Sequence, residues 1–481
     1  MTKHLHIDTK AMRAKILDLA IQGKLTDQRE EDGNARDLLK EIQAEKEKLI
    51  KEKKIKKEKP LPEITEAEKP FEIPKNWMWA RWGTLSISIK YGYNTSAQKD
   101  GKIKMVRISD IQNNQVSWDS VPFCNIPKEE ITQYLLRKND ILFARTGGTV
   151  GKSYLVSEVP ENVVYAGYLI RTRYSENLSP QYLKYFMESD LYWSQLKKGT
   201  TTTAQPNCNA KTLGKMVLPL PPLAEQKRIA DKVSKLFAQL DAIDKAYEEY
   251  RELQQTMKTK LLDLAIQGKL TDQRAEDGNA RDLLKEIQAE KEKLIKEKKI
   301  KKEKPLLEIT EEEKPFDIPE NWMWVRLGKM ILNHIGGGTP DKSNEAYWNG
   351  DIPWMSVKDV HQDSMYADRT IDSITPAGLE NSSSNLIEAN RLIVVMRMAV
   401  GRAVINKLPV AINQDLRALF FRDNVTQEYI LRIFKILKFE TSGMTVKGIK
   451  LWVLLNTPIP LPPLAEQKRI VAKLDELLPL L

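Results

Sequence analysis

The stretch TGGTVGKS, Thr146 to Ser153, has the glycine and Lys-Ser spacing of a loop that wraps phosphate in backbone N–H groups. Thr146 stands where that loop requires glycine, so nucleotide binding is not expected there. A second glycine run, Gly336 to Gly338, is followed by Thr339-Pro340 and by no helix signal, which argues against a dinucleotide cradle. The tetrapeptide of an adenine methyltransferase, Asn or Asp before Pro-Pro and an aromatic, is absent; Pro221-Pro222 and Pro462-Pro463 both follow leucine. The histidines, His4, His6, His334 and His361, form no i, i+4 pair, and Cys124 and Cys208 stand too far apart to be a metal-ligand pair. No nucleophile, base or metal constellation is apparent, so no catalytic, cofactor-binding or metal-binding residue is assigned.

The elements that would position any site are instead present twice. Residues Ile16 to Gly83 return as Leu261 to Gly328 at an offset of 245, with eight of 68 positions changed. A shorter echo follows each copy, LPLPPLAEQKRI from Leu218 and IPLPPLAEQKRI from Ile459, at an offset of 241. Between repeat and echo lie two blocks, Thr84 to Val217 and Lys329 to Pro458, with no comparable identity. A constant framework around two divergent inserts reads as a scaffold presenting two different readers. An enzyme built by duplication would more often repeat its catalytic residues. The expected division is 1–83, a conserved repeat; 84–217, a first recognition domain; 218–328, a central conserved region; 329–458, a second recognition domain; and 459–481, a conserved helix.

At 481 residues the chain is long enough for two to four domains with their own cores. The net charge of +10 suits a polyanionic partner. Lys and Arg minus Asp and Glu give 17 minus 11 in the first block and 15 minus 13 in the second, so the excess sits mostly there. The duplicated Lys and Glu runs nearly cancel and read as solvated helix faces. Two cysteines fit a reducing compartment, and no run of 18 apolar residues is present, so a soluble cytoplasmic protein is expected.

Residues 8 to 22 carry Met12, Ile16 and Leu19 at helical spacing, with Gly23 as the stop and no visible start partner. Asn34 to Lys59 is helical again along Leu38, Leu39, Ile42, Leu49 and Ile50, and Pro60 ends it. A proline-spaced extended linker follows, with Trp77 and Trp79 expected to anchor the first block by packing. In that block LSISI, IKMVRIS, DILFAR and YLIRTRY read as strands, and QYLKYFMESDLYWSQL as one helix. From Leu223 to about Gln267 apolar residues at Ile229, Val233, Leu236, Leu240, Ile243, Tyr247, Tyr250, Met257, Leu261 and Leu264 give coiled-coil periodicity. That helix would be roughly 65 Å long. The second echo starts the same helix, and the N-terminal helix matches its missing half. The predicted class is therefore α+β: two globular mixed α/β domains separated by long antiparallel coiled-coil helices, pseudo-two-fold and circularly arranged, with neighbouring termini. The second block, with strand-like LIVVMRMAVGRAVI and LRALFF and the helix QEYILRIFKILKF, is expected to share the fold of the first.

The openings YGYNTSAQKDGKIKMVRISDIQN and GGGTPDKSNEAYWNGDIPWMSVKDV, the turn NDILFARTGGTVGK and both PLPPLAEQKRI motifs resemble those of the DNA specificity subunit of Type I restriction-modification systems. The resemblance covers nearly the full length. It implies two target recognition domains, each reading one half of a split double-stranded DNA sequence, on helices that dock two methyltransferase subunits. Restriction and translocase subunits would join through the complex. The chain would be non-catalytic and hold no cofactor; S-adenosylmethionine, ATP and Mg would belong to the partners, and no membrane is involved. The alternatives are a free-standing bipartite DNA-binding regulator, which would bind without partner subunits, and a coiled-coil scaffold, which would show no salt-dependent DNA binding.

On that resemblance the candidate DNA contacts are polar and basic residues on turns. In the first block these are Arg107, Arg145, Thr146, Lys152 and Arg171, then Tyr91, Asn94 and the run containing Thr201 and Gln205. In the second they are Thr339, Lys342, Lys358, Arg397, Arg402 and Gln414. Arginine suits guanine, Asn or Gln suits adenine, and lysine more often holds phosphate. The helix between the readers acts as a ruler. Four residues inserted in it add about 6 Å, close to two base-pair steps of about 3.4 Å, so the spacer between half-sites is expected to grow; an unchanged spacer in that variant would sink the idea. The near-identical repeats also offer sites where recombination could exchange one block for another; a single arrangement throughout a clonal population would count against this.

Overall fold

The computed structural model describes residues 7–199, 207–362, 364–437, 439, 441 and 447–481. Two compact units, Met1–Glu248 and Glu249–Leu481, make up the chain. Each contains one repeat copy, one variable block and one echo.

The first unit opens with α1 (Thr9–Ile21) and α2 (Ala35–Lys51). The Asp8 side chain accepts the Ala11 N–H at 2.9 Å, a start partner for α1 that was not recognised in the sequence. Gly23 stops α1 at φ +70°, and a Cβ there would stand 2.5 Å from the Pro74 ring. The helix expected to reach Lys59 is corrected: α2 ends at Lys51, and Lys53 turns into the left-handed region at φ +56°. Past Ile50 the run Lys51, Lys53, Lys54, Lys56, Lys57 gives the core little to bury and places like charges at i, i+3 and i, i+4.

Eleven strands follow in this unit: β1 (Met78–Arg81), β2 (Ser86–Tyr91), β3 (Ile103–Val106), β4 (Ile111–Gln112), β5 (Gln115–Val116), β6 (Phe123–Cys124), β7 (Ile141–Ala144), β8 (Ser153–Leu155), β9 (Val163–Tyr165), β10 (Leu169–Tyr174) and β11 (Val217–Leu220), counted among the described residues. An antiparallel sheet has the order β2-β10-β7-β8, and a smaller one has β6-β3-β9 with β3 and β9 parallel. The central strand β7 is buried on both faces: Ile141 and Phe143 meet the helices, while Leu142 and Ala144 meet the smaller sheet. The single helix expected over QYLKYFMESDLYWSQL is two, α3 (Pro180–Phe186) and α4 (Asp190–Gly199). Ser189, between them, donates to Phe186 O and so favours a turn over continued helix.

The helix α5 (Leu223–Ile266) has the length expected from its periodicity. In the first unit α1 lies antiparallel to its first part, with Arg13 on Asp241 at 2.8 Å near one end and Thr26 on Glu225 at 3.2 Å near the other. Ile229, Val233 and Leu240 of the expected seam are buried, whereas Ile243 and Met257 are exposed, so packing covers only part of it. Leu17 of α1, Ile42 of α2, Trp77, Trp82, Phe143 and Val233 share one core, so repeat and block fold together. Trp77 is buried as expected, and Trp79, half-buried, packs on Phe71.

The second unit repeats this plan. After α6 (Ala280–Lys296) come β12 (Met323–Arg326), β13 (Asn333–Gly336), β14 (Trp348–Met355), β15 (Tyr366–Ala367), β16 (Asp372–Ile374), β17 (Asn385–Ile387), β18 (Leu392–Val395), β19 (Ala403–Asn406), β20 (Val410–Ile412), β21 (Leu416–Phe420), α7 (Asn424–Phe434), β22 (Pro458–Leu461) and α8 (Leu464–Leu477). The sheets run β13-β21-β18-β19-β15 and β16-β14-β20-β17, with β14 and β20 parallel. Strand for strand the first four positions match β2-β10-β7-β8, and β16-β14-β20 match β6-β3-β9. The expectation of a shared fold without shared sequence is met. Here α8 lies antiparallel to the last part of α5: Thr271 meets Glu466 at 3.1 Å, and Gln254 bonds the Leu481 carbonyl. In this unit that part of α5 holds the place α1 holds in the first.

Both units carry the same buried clasp where the echo helix starts. Trp77 Nε1 donates to Glu225 at 2.8 Å and Trp322 Nε1 to Glu466 at 2.7 Å, with Gln28 and Gln273 as second donors. Burial raises the Glu225 carboxyl, partly opposed by these donors. Among the described residues no helix is long and apolar enough to cross a membrane.

Candidate nucleic-acid interface

At one end of the β2-β10-β7-β8 sheet three loops are tied together by main-chain hydrogen bonds. The loop after β2 approaches the β9–β10 turn so closely that a Cβ on Gly92 would stand 2.2 Å from Ala166 O. Tyr93 N donates to Tyr165 O and Gly167 N to Tyr93 O, both at 2.8 Å. The β7–β8 turn joins through Arg145 N to Tyr168 O at 3.1 Å, and the segment from Asn207 joins through Cys208 N to Arg145 O at 2.9 Å. Thr146 forms a bridge with Asn207. Tyr91, Asn94, Arg145, Thr146 and Lys152 are thereby brought to one rim.

Within the rim the Arg145 guanidinium lies 4.7 Å from the centre of the Tyr91 ring. Stacking of this kind orients a planar cation while leaving its edge for a ligand. Tyr91 in turn is fixed by the Ala210 N–H, which donates to its hydroxyl at 3.0 Å. Asn94 and Lys152 are exposed. Tyr168, 63% exposed at the tip of the β9–β10 turn, was missed in the sequence. A large aromatic directly after a turn glycine was the available signal, but it lay between two strand-like runs and read as the start of one.

Arg107 sits on the turn after β3, where the Asp110 carboxylate takes its side chain at 2.7 and 3.1 Å and also its own N–H. That hydrogen bonding raises the guanidinium above its ordinary pKa and commits Arg107 to its own turn. Arg171 is a correction. It is 1% exposed, on the strand between β2 and β7, with Nη1 donating to Leu135 O at 2.8 Å and its guanidinium 5.1 Å from the Tyr165 ring centre. Burial lowers its pKa and pushes Tyr165 up to about 12, so Arg171 holds the inside of the sheet and does not face a ligand. Thr201 and Gln205 lie outside the described residues.

The TGGTVGKS stretch is the turn of the β7–β8 hairpin, with Gly147 at φ +75° and Gly151 at φ +93°. A phosphate loop needs a strand leading into a helix, which this is not.

The second unit builds the same rim from other residues. A Cβ on Gly337 would stand 1.8 Å from Ile412 O, matching the approach at Gly92. Met396 N donates to Asp415 O at 2.7 Å and Ile449 N to Met396 O at 2.8 Å, the counterparts of the bonds made by Arg145. Arg397 bridges to Gly448, as Thr146 does to Asn207. Thr339 donates to Gln414 Oε1, which brings two of the predicted residues into contact. Arg397 Nε donates to Asp415 at 2.5 Å, and Arg402 occupies the position of Lys152 in the hairpin turn. Met398, 60% exposed at φ +69°, was not anticipated. Lys342 and Lys358 are exposed on neighbouring turns, Lys358 in the one equivalent to that of Arg107.

At the start of β13 Glu303 accepts from Lys291 Nζ at 2.8 Å and lies 2.9 Å from His334 Nε2. The hydrogen bond from His334, then the nearby Lys291, hold the Glu303 carboxyl down at about 2.

The model of the Type I restriction modification DNA specificity domain matches residues 89–250 and again 319–479. The chain is 27% identical over 538 residues to the Type I restriction enzyme EcoEI specificity subunit of Escherichia coli, covering 97% of this chain and 88% of that one. It is 28% identical over 550 residues to the EcoAI specificity subunit of the same organism, at 98% and 89% coverage. A solved chain from "Structural basis underlying complex assembly and conformational transition of the type I R-M system" has the same fold at a TM-score of 0.54 and 24% identity, over 85% of this chain and 91% of that one. With two domain matches that fall on the two rims and together span most of its length, the chain belongs to the Type I restriction modification DNA specificity family.

Proposed function

We propose that this chain is the sequence-reading subunit of a Type I restriction-modification complex and does no chemistry of its own. Each unit reads one half of a two-part target on double-stranded DNA through its rim. Adenine methylation, and cleavage or translocation, belong to methyltransferase and restriction subunits, which carry S-adenosylmethionine, ATP and Mg; the complex works in the cytoplasm. One observation carries this reading: an identical main-chain frame, repeated at Arg145 and Met396, presents unlike side chains in the two units. Fixed backbone with variable side chains is what two readers of different sequences require.

The helices supply the docking surfaces for two methyltransferase subunits. Met12 and Ile243 in the first unit, and Leu253 and Met257 in the second, are large apolar side chains left exposed on helices. Their recurrence on the helices of each unit supports one methyltransferase per unit.

Arg145→Ala tests the rim. The full chain is expected to bind its selected duplex roughly 10- to 100-fold more weakly and to lose preference at one position of one half-site. Lys152→Ala is expected to weaken binding evenly across sequences and to reduce the salt slope by about 1. Specific binding unchanged by both substitutions would overturn the assignment of the rim.

A further inference from the structure

Beside its rim the first unit has a finger with no counterpart among the described residues of the second. β4 and β5 form a hairpin with Ile111 opposite Val116 and Gln112 opposite Gln115. Its two turn residues, Asn113 and Asn114, are both left-handed, at φ +51° and +58°, which suits the twist of paired strands and which asparagine tolerates. Four consecutive amide side chains, Gln112 to Gln115, are therefore carried outward on a narrow ribbon, all of them exposed.

Asn114 fastens the finger. Its Nδ2 donates to Glu188 at 3.0 Å; Glu188 accepts from buried Lys184 at 2.8 Å; and Lys184 donates to Ser153 O and Oγ on β8 at 2.9 and 3.0 Å. That chain ties the hairpin to the strand leaving the β7–β8 turn. Among the described residues Gln112, Asn113 and Gln115 make no side-chain hydrogen bond. A cleft of about 470 Å³ separates finger from turn and is lined by Ile111, Asn113, Thr149, Lys152 and Trp193 among others. In the second unit the chain after the equivalent turn instead adds β15 in parallel to β19.

We propose that this hairpin is a second base-reading element of the first unit. It reads adenine-bearing base pairs in the major groove next to those read by the rim, and Lys152 holds the phosphate between them. A two-stranded ribbon fits that groove, and an amide pairs in bidentate fashion with adenine N6 and N7. The inference rests on the proposed DNA-reading function and adds a place and a base.

The test uses the full chain carrying Gln112→Glu and Asn113→Gly together. The first is isosteric and exchanges a donor for an acceptor; the second keeps the left-handed turn and removes the amide, and Asn114 is untouched. Wild type and variant are each selected against random duplexes, with thermal melting as the control for folding. The expected result is loss of a preference for adenine, about 10-fold or more, at one or two positions of one half-site, with the other half-site and the melting point unchanged. Unchanged preference overturns the proposal, and so does a uniform loss of affinity with every preference intact, which would make the finger a phosphate contact. If the variant is unchanged while Arg145→Ala still relaxes a position, the finger alone fails; if the wild type selects no sequence, the DNA-reading function fails with it.

Discussion

Exchange of residues 84–216 for the corresponding block of another family member is expected to replace one half of the target sequence entirely and to leave the other half as it was. The reason lies in how the block is held. It is entered from β1 and left through β11, which pair from Met78↔Leu220 to Arg81↔Val217, and Trp82 N donates to Met216 O at 2.8 Å just inside. The second block is closed the same way by β12 and β22, from Met323↔Leu461 to Arg326↔Pro458. Both ends of a replacement thus meet at one strand pair whose bonds are main-chain and indifferent to the sequence carried. The demand on a new block is apolar: it must supply side chains like Tyr182, Phe186 and Leu213, which pack on Trp82 and on the helices. Sequencing of modified DNA from cells carrying each exchanged chain reads the outcome. A change in both halves, or in neither, would show that specificity is not divided between the blocks.

The largest expected loss of stability comes from Arg81→Ala, with Arg326→Ala as its twin. Arg81 is 4% exposed. Its guanidinium donates to Pro62 O and Glu63 O at 2.7 Å, to Lys215 O at 2.6 Å, and to the Glu68 carboxylate at 2.9 and 3.0 Å. Arg326 makes the same set with Leu307 O, Glu308 O, Asn456 O and Glu313. One side chain therefore fixes the proline-spaced linker, the strand pair and the last turn of the block. Alanine leaves several acceptors without donors, a loss of about 3–5 kcal/mol by comparison with other broken buried pairs. Lysine restores little, because an ammonium cannot span the fork of acceptors. The denaturation midpoint of the full chain measures this, and a shift below about 1 kcal/mol would show the linker to be held by other means. The Glu68 carboxyl, which Arg81 and Thr65 hold at about 2, is expected to return toward its ordinary 4.5 in the variant.

Much of this architecture is legible in the sequence because it depends on repetition and period. The offset between Ile16 and Leu261 exposes the duplication, and the spacing of Ile229, Val233 and Leu240 exposes the long helix. Local competition is harder to read. The end of α2 at Lys51 is decided by side chains that bury nothing, while helical spacing of charges continues to Lys59. Arg171 reads as a candidate contact because it is a basic residue in a run with polar positions; its enclosure depends on Leu135 and Tyr165, which the sequence does not place beside it. The rim was legible in part. Arg145, Thr146 and Lys152 fall on an evident turn, but the main-chain bonds that bring Tyr91 and Tyr168 beside them join residues far apart in the chain.

The division of recognition between two units is tested most directly by expressing the chain with its methyltransferase subunit in a host free of DNA methylation and sequencing the host DNA for modified adenine. The expected result is a motif of two defined parts separated by a spacer of fixed length and undefined sequence. A single uninterrupted motif, or unmodified DNA from cells in which the two proteins form a complex, would contradict it.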